Sequence, residues 1–216
     1  MPSRPRPAVT GVAVWTLSFV VIFWQSWRPA WSADETATVM VAHRPFSGVL
    51  RTFRFDAGLE PYYLFIKLWS LPSTSHVWMR LPSVAAMAGA VTVVWVLTTR
   101  LVGRAAGFVA TLIMLSLPAT SNVGQEARPY AFGVLFVLLA VLCWANAGLA
   151  TDGWRRARLA MLFLLAGAAH SYALTIIPVL LVTSWLAPGN NRRREVAATA
   201  ISGARKRVPD FRSNAP

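Results

Sequence analysis

Only eight of the 216 residues are Asp or Glu, and two short stretches hold the acids best placed for chemistry. Trp31-Ser32-Ala33-Asp34-Glu35-Thr36 follows the first long apolar run. Gln125-Glu126-Ala127-Arg128-Pro129-Tyr130 lies between two later runs. A carboxylate held beside an interfacial tryptophan can act as a general base if burial or neighbouring charge adjusts its pKa. Asp34 and Glu35 are therefore candidate proton acceptors. The plainer reading is a hydrated helix start, with Asp34 capping Thr36 to Val41 and Glu35 in the first turn.

The elements that must position these acids are greasy. The chain is 56% hydrophobic, and several of its runs approach the ~20 apolar residues that cross a bilayer. Barrel strands would alternate in polarity, which these runs do not. The expected fold is therefore all-α, a polytopic transmembrane bundle of about six spans. The net charge of +13 comes in short clusters between runs, so it fits the positive-inside rule better than a nucleic-acid-binding face. Cys143 is the only cysteine, which excludes an intrachain disulfide.

The first span is expected at Ala8 to Trp27, uncleaved, with the N-terminus in the cytoplasm. Ser32 to Val77 then forms a long exterior loop. Short interfacial helices are expected in it at Thr36 to His43 and Tyr62 to Leu71. Further spans follow at Pro82 to Leu101, Ala105 to Pro118 and Tyr130 to Leu149, with a second exterior loop at Ala119 to Pro129. The run Leu159 to Leu186 has basic flanks on both sides and a polar centre at His170-Ser171-Tyr172. It reads as a hairpin of two short helices, with one tilted helix as the alternative. Residues 1–188 make one membrane domain, and 189–216 a basic, disordered cytoplasmic tail. On this topology no acid lies within a span, which argues against a proton or ion path. Acids just outside the membrane suit another task. They could deprotonate an acceptor arriving from outside while a lipid-borne donor arrives from the bilayer.

Taken in order, several stretches resemble the GT-C superfamily of membrane glycosyltransferases, in its protein O-mannosyltransferase and aminoarabinose-transferase branches. They are Trp31-Ser32-Ala33-Asp34-Glu35, Glu60-Pro61-Tyr62-Tyr63-Leu64-Phe65-Ile66-Lys67-Leu68-Trp69, Arg80-Leu81-Pro82-Ser83, Gly103-Arg104 and Gln125-Glu126-Ala127-Arg128-Pro129-Tyr130. The resemblance runs over roughly residues 10 to 186 and rests on order and spacing rather than on one motif. It implies transfer of a mannose-like sugar from a polyprenyl-phosphate donor to a protein or glycan acceptor at the outer face of a bacterial plasma membrane. Asp34 would be the catalytic acid, with Glu35 completing the pair and Glu126 near the acceptor. Arg128 is the first candidate for the donor phosphate, since a guanidinium can bind it bidentately; Lys67 and Arg54 are weaker ones. Glu60, His170 and Tyr130 are further candidates, Glu60 standing where many relatives have His or Asp.

No zinc pattern, phosphate-cradling glycine loop or nucleophilic triad is visible. No cofactor or metal ligand set is expected, a divalent ion on Asp34 and Glu35 being the alternative. Members of the superfamily are typically longer, so the chain is expected to be the N-terminal portion of such an enzyme, with a second membrane subunit as a possible partner. The competing functions are a non-catalytic membrane subunit or scaffold and, more weakly, a transporter fragment.

Overall fold

The computed structural model describes residues 7–24, 26–27, 30–52, 60–147 and 153–186. Among these the chain is all-helical, as its apolar runs require. The elements are α1 (Pro7–Phe23), α2 (Ala33–His43), α3 (Phe46–Thr52), α4 (Glu60–Trp69), α5 (His76–Leu101), α6 (Arg104–Ser116), α7 (Pro118–Gln125), α8 (Tyr130–Ala147), α9 (Gly153–Ala169), a 3-10 turn (Ser171–Thr175) and α10 (Ile176–Leu186). They fall into two compact units, Met1–Leu174 and Thr175–Pro216. The described part of the second is α10 and the residue before it. The expected tail at 189–216 lies outside the described residues.

In the first unit α5 is the central element, packed by α1, α6, α7 and α8. It begins six residues before the expected span start, with Ser75 as its N-cap. Pro82 therefore lies inside the helix, where its missing N–H deprives the Trp78 carbonyl of its usual partner. The indole of Trp69 supplies one, donating from Nε1 to the Trp78 carbonyl at 2.8 Å. Trp78 returns the bond to the Trp69 carbonyl at 2.7 Å, and the two rings stack with centroids 4.7 Å apart. This reciprocal lock fastens the end of α4 to the first turn of α5.

Two apolar clusters meet along α5. One joins α2, α3 and α4 to the start of α5 through Val41, Val49, Tyr63, Ile66 and Met79. The other joins α1, α5 and α8 through Ile22, Val84, Met87, Val91 and Ala131. Phe132 packs against both. α7 comes very close to α1 and α5, because a Cβ on Gly124 would sit 2.5 Å from Ile22 and 3.2 Å from Met87. Between α5 and α6 the chain turns at Gly103 with φ +127°, a conformation that side chains disfavour.

Among the described residues one helix, α5 with 26 residues, is long and apolar enough to cross a membrane. α6 and α7 would qualify only together, and they meet at a 65° bend. Pro118 opens α7, turning much of the expected second loop into a helix. α1 and α8 are shorter apolar helices of 17 and 18 residues. The run 159–186 is not one helix, since α9 stops at Ala169 and the chain passes through a 3-10 turn before α10.

Candidate functional site

Ser32, not Asp34, caps α2. The Ser32 hydroxyl accepts from the Glu35 N–H and the Glu35 carboxylate accepts from the Ser32 N–H, both at 3.1 Å. This is a capping box, which satisfies two otherwise orphaned helix donors reciprocally. It also commits Glu35. Its Oε1 accepts from Arg80 Nε at 2.8 Å and from the Ala127 N–H at 2.9 Å. Its Oε2 accepts from Arg80 Nη2 at 2.7 Å. Both side chains are almost fully buried. The remaining Arg80 donors reach the Ser26 carbonyl at 2.6 Å and the Ala30 carbonyl at 3.2 Å, and Trp31 lies under the guanidinium. Burial would raise the Glu35 pKa; the bonds from Arg80, Ala127 and Ser32, with the charge of Arg80, outweigh it and hold the carboxyl below its ordinary value. Glu35, expected beside Asp34 in catalysis, has its carboxylate lone pairs taken up by these four donors.

Asp34 stands one residue away and faces out, its side chain 63% exposed. Its Oδ2 lies 3.6 Å from Arg128 Nη2. Arg128 also donates from Nη2 to the Tyr130 hydroxyl at 3.3 Å and lies over the Tyr130 ring at 5.4 Å. Its Nε is buried without a hydrogen-bond partner, so this cation keeps an unused donor. The segment between α7 and α8 is held by its backbone. Arg128 N–H donates to the Glu126 carbonyl at 2.8 Å, a three-residue turn. The Ser83 hydroxyl donates to the Arg128 carbonyl at 3.1 Å. Gln125 Nε2 donates to the Ile22 and Trp24 carbonyls at 2.7 and 3.0 Å, satisfying acceptors at the end of α1.

Glu126 is half-buried, and its carboxyl is raised above its ordinary value. Desolvation is the largest cause, followed by the charges of Glu35 and Asp34, with Arg128 and Arg80 opposing. The structure thus gathers Asp34, Glu126, Arg128 and Tyr130. His170 joins them at one remove, its ring 5.2 Å from Tyr130. Tyr130, His170 and Tyr172 line one side of a 740 Å³ groove whose other walls are apolar, among them Val94, Met114, Val134 and Leu138.

Other candidates fall elsewhere. Lys67 Nζ donates to the Ala42 carbonyl at 2.7 Å, at the far end of α2 and about 12 Å along its axis from Asp34. It ties α4 to α2 and stands apart from Arg128. Arg54 lies outside the described residues, as does the side chain of Glu60, the first residue of α4. The main omission from the sequence reading was Arg80. Its signal was an arginine opening an apolar helix, a charge that must find a partner if the helix is buried. The spacing Ser32-x-x-Glu35 was equally visible as a capping box.

Residues 61–202 match the family model described as dolichyl-phosphate-mannose-protein mannosyltransferase. The chain belongs to this family. Family membership makes it a membrane glycosyltransferase of the GT-C type. The match takes in Arg80, Glu126, Arg128, Tyr130 and His170 and begins after Asp34 and Glu35. No curated protein and no solved structure matches the chain.

Proposed function

We propose that this mannosyltransferase-family chain moves a mannose-like sugar from a polyprenyl phosphate to a hydroxyl of a protein or glycan acceptor at the exterior face of the plasma membrane. The observation that carries this reading is the meeting of Asp34 with Arg128, next to Glu126 and to a groove with apolar walls. Asp34 takes the proton of the acceptor hydroxyl. The acceptor oxygen bonds to the anomeric carbon, and the bond from that carbon to the phosphate oxygen breaks. The polyprenyl phosphate leaves on Arg128, whose unused Nε and charged Nη2 suit a phosphate oxygen. Glu126, its carboxyl raised above its ordinary value by burial and the neighbouring acids, lies on the acceptor side. The groove along α8 takes the prenyl chain, which needs apolar walls and a polar end. In the bilayer α5 crosses directly, and α1, α6, α8, α9 and α10 cross by tilt or local thinning, with both chain termini cytoplasmic.

The test is transfer from a labelled lipid donor in membranes, wild type against Asp34→Asn. Loss of transfer in the variant is expected; equal rates in both would remove Asp34 from the mechanism. Orientation is read separately with Glu126→Cys in a Cys143→Ser background. Labelling from outside is expected, and labelling from the cytoplasm alone would overturn the exterior assignment.

A further inference from the structure

The Glu35–Arg80 pair is bonded to both segments that carry the acids of the candidate site, the start of α2 and the turn at Ala127. Through the capping box it fixes the first turn of α2, where Asp34 sits. Through Oε1 it grips the Ala127 N–H, the one residue between Glu126 and Arg128. Through Arg80 it is bound to α5 and to the carbonyls of Ser26 and Ala30 that lead into α2. Two chain segments 92 residues apart are thus held on one carboxylate oxygen.

We propose that Glu35 and Arg80 are positioning residues for the transfer reaction: their buried ion pair sets the distance of Asp34 from Arg128 and the placement of Glu126. This rests on the reading of Asp34 and Arg128 given above. Helix capping alone would need only Ser32 and one oxygen of Glu35. The second oxygen, the arginine and the Ala127 amide have no part in a cap: Oε1 holds the 126–128 segment, and Arg80 reaches the Ser26 and Ala30 carbonyls that lead into α2. A misplacement of about 1 Å can cost roughly 10²-fold in rate, so a bidentate, buried anchor at this spot controls rate as well as stability.

The charged groups acting on Glu126 are Asp34 and Glu35 from α2, Arg80 from α5 and Arg128 beside it. Removing the Glu35 charge while keeping an acceptor therefore lowers the Glu126 pKa. That shift follows from charge alone, so positioning is read from kcat per folded molecule, which a purely structural anchor would leave unchanged.

The experiment measures kcat, donor KM, the pH–rate profile and thermal melting of the full chain in membranes. The variants are Glu35→Gln, Arg80→Lys, Ser32→Ala and Asp34→Asn, with rates normalised to folded protein. Glu35→Gln is expected to lower kcat about tenfold or more with donor KM little changed. Arg80→Lys retains the charge and loses the fork, so it keeps the protein folded and lowers kcat with the acid limb in place. Ser32→Ala weakens the cap and keeps the ion pair, so it is expected to lower the melting temperature with a smaller loss of kcat than either ion-pair variant. If Glu35→Gln does not fold, Arg80→Lys decides by its kcat. Wild-type kcat per folded molecule in Arg80→Lys or in Glu35→Gln overturns the positioning role. Full activity in Asp34→Asn instead overturns the reading of the site on which it rests.

Discussion

Two acid–arginine pairs sit side by side in this protein and differ in almost everything but their chemistry. Glu35 and Arg80 meet at 2.7 Å with both side chains nearly water-free. Asp34 and Arg128 meet at 3.6 Å, with the aspartate 63% exposed. In the first pair the lone pairs of the carboxylate are occupied. In the second, a guanidinium nitrogen is buried and unpartnered. A saturated pair has no capacity left to bind or exchange a proton, so it serves as structure. A loose, incompletely bonded pair keeps that capacity. The contrast explains how one Asp-Glu dipeptide supplies both an anchor and a candidate base.

The comparison breaks most readily at its open end. Asp34→Asn is expected to cut transfer by about 10²- to 10⁴-fold, the range for a general base. Its melting temperature should stay within a degree or two, because an exposed pair contributes little to stability. At the closed end the signs reverse. Arg80→Met strands a buried carboxylate and should cost about 3–5 kcal/mol of stability, read by denaturation in detergent or by the amount of folded protein. Replacing both partners, Arg80→Met with Glu35→Met, should recover a large part of that loss. Failure of the double variant to improve on the single one would show that the other bonds of Arg80 outweigh the pair.

A smaller effect sharpens the contrast outside both pairs. Trp69→Phe keeps the stacking and removes the indole donor, orphaning the Trp78 carbonyl beneath Pro82. About 1–3 kcal/mol is expected, measured by thermal melting. The smallest effect is in pH. Glu35 has a depressed folded-state pKa, so its stabilisation is fully present above the unfolded-state value and is lost as pH falls through the folded-state one. Stability should therefore decline on the acid side of the ordinary glutamate range, and Glu35→Gln should flatten that decline. An acid limb of identical slope in the variant would assign it to other carboxylates.

Much of the fold was legible. The apolar runs located α1, α5, α6, α8 and α9 to within a few residues at most ends, because a long run without alternation has few other ways to be buried. Helices α2 and α4 were visible from their aromatic and apolar content, and the break at His170 from the only polar cluster in its run. α3 and α7 were missed. Neither has an apolar face long enough to stand out, and both exist because neighbouring helices hold them. Of the six expected spans, α5 alone stands as a single helix of spanning length among the described residues. Hydropathy sums over residues and does not register a 65° bend at Pro118.

The candidate site divides the same way. Composition and order were enough to single out Asp34, Glu126 and Arg128, and to place them outside the apolar runs. The resemblance put Asp34 ahead of Glu35, but nothing in the local sequence supplied a physical reason for that order. Successive residues of an α-helix point about 100° apart, so neighbours of like chemistry can face solvent and core respectively. Which one turns inward depends on where Arg80 and the Ala127 amide stand, 45 and 92 residues further on. That is a property of how α2, α5 and the turn before α8 pack, and no local window of the chain contains it.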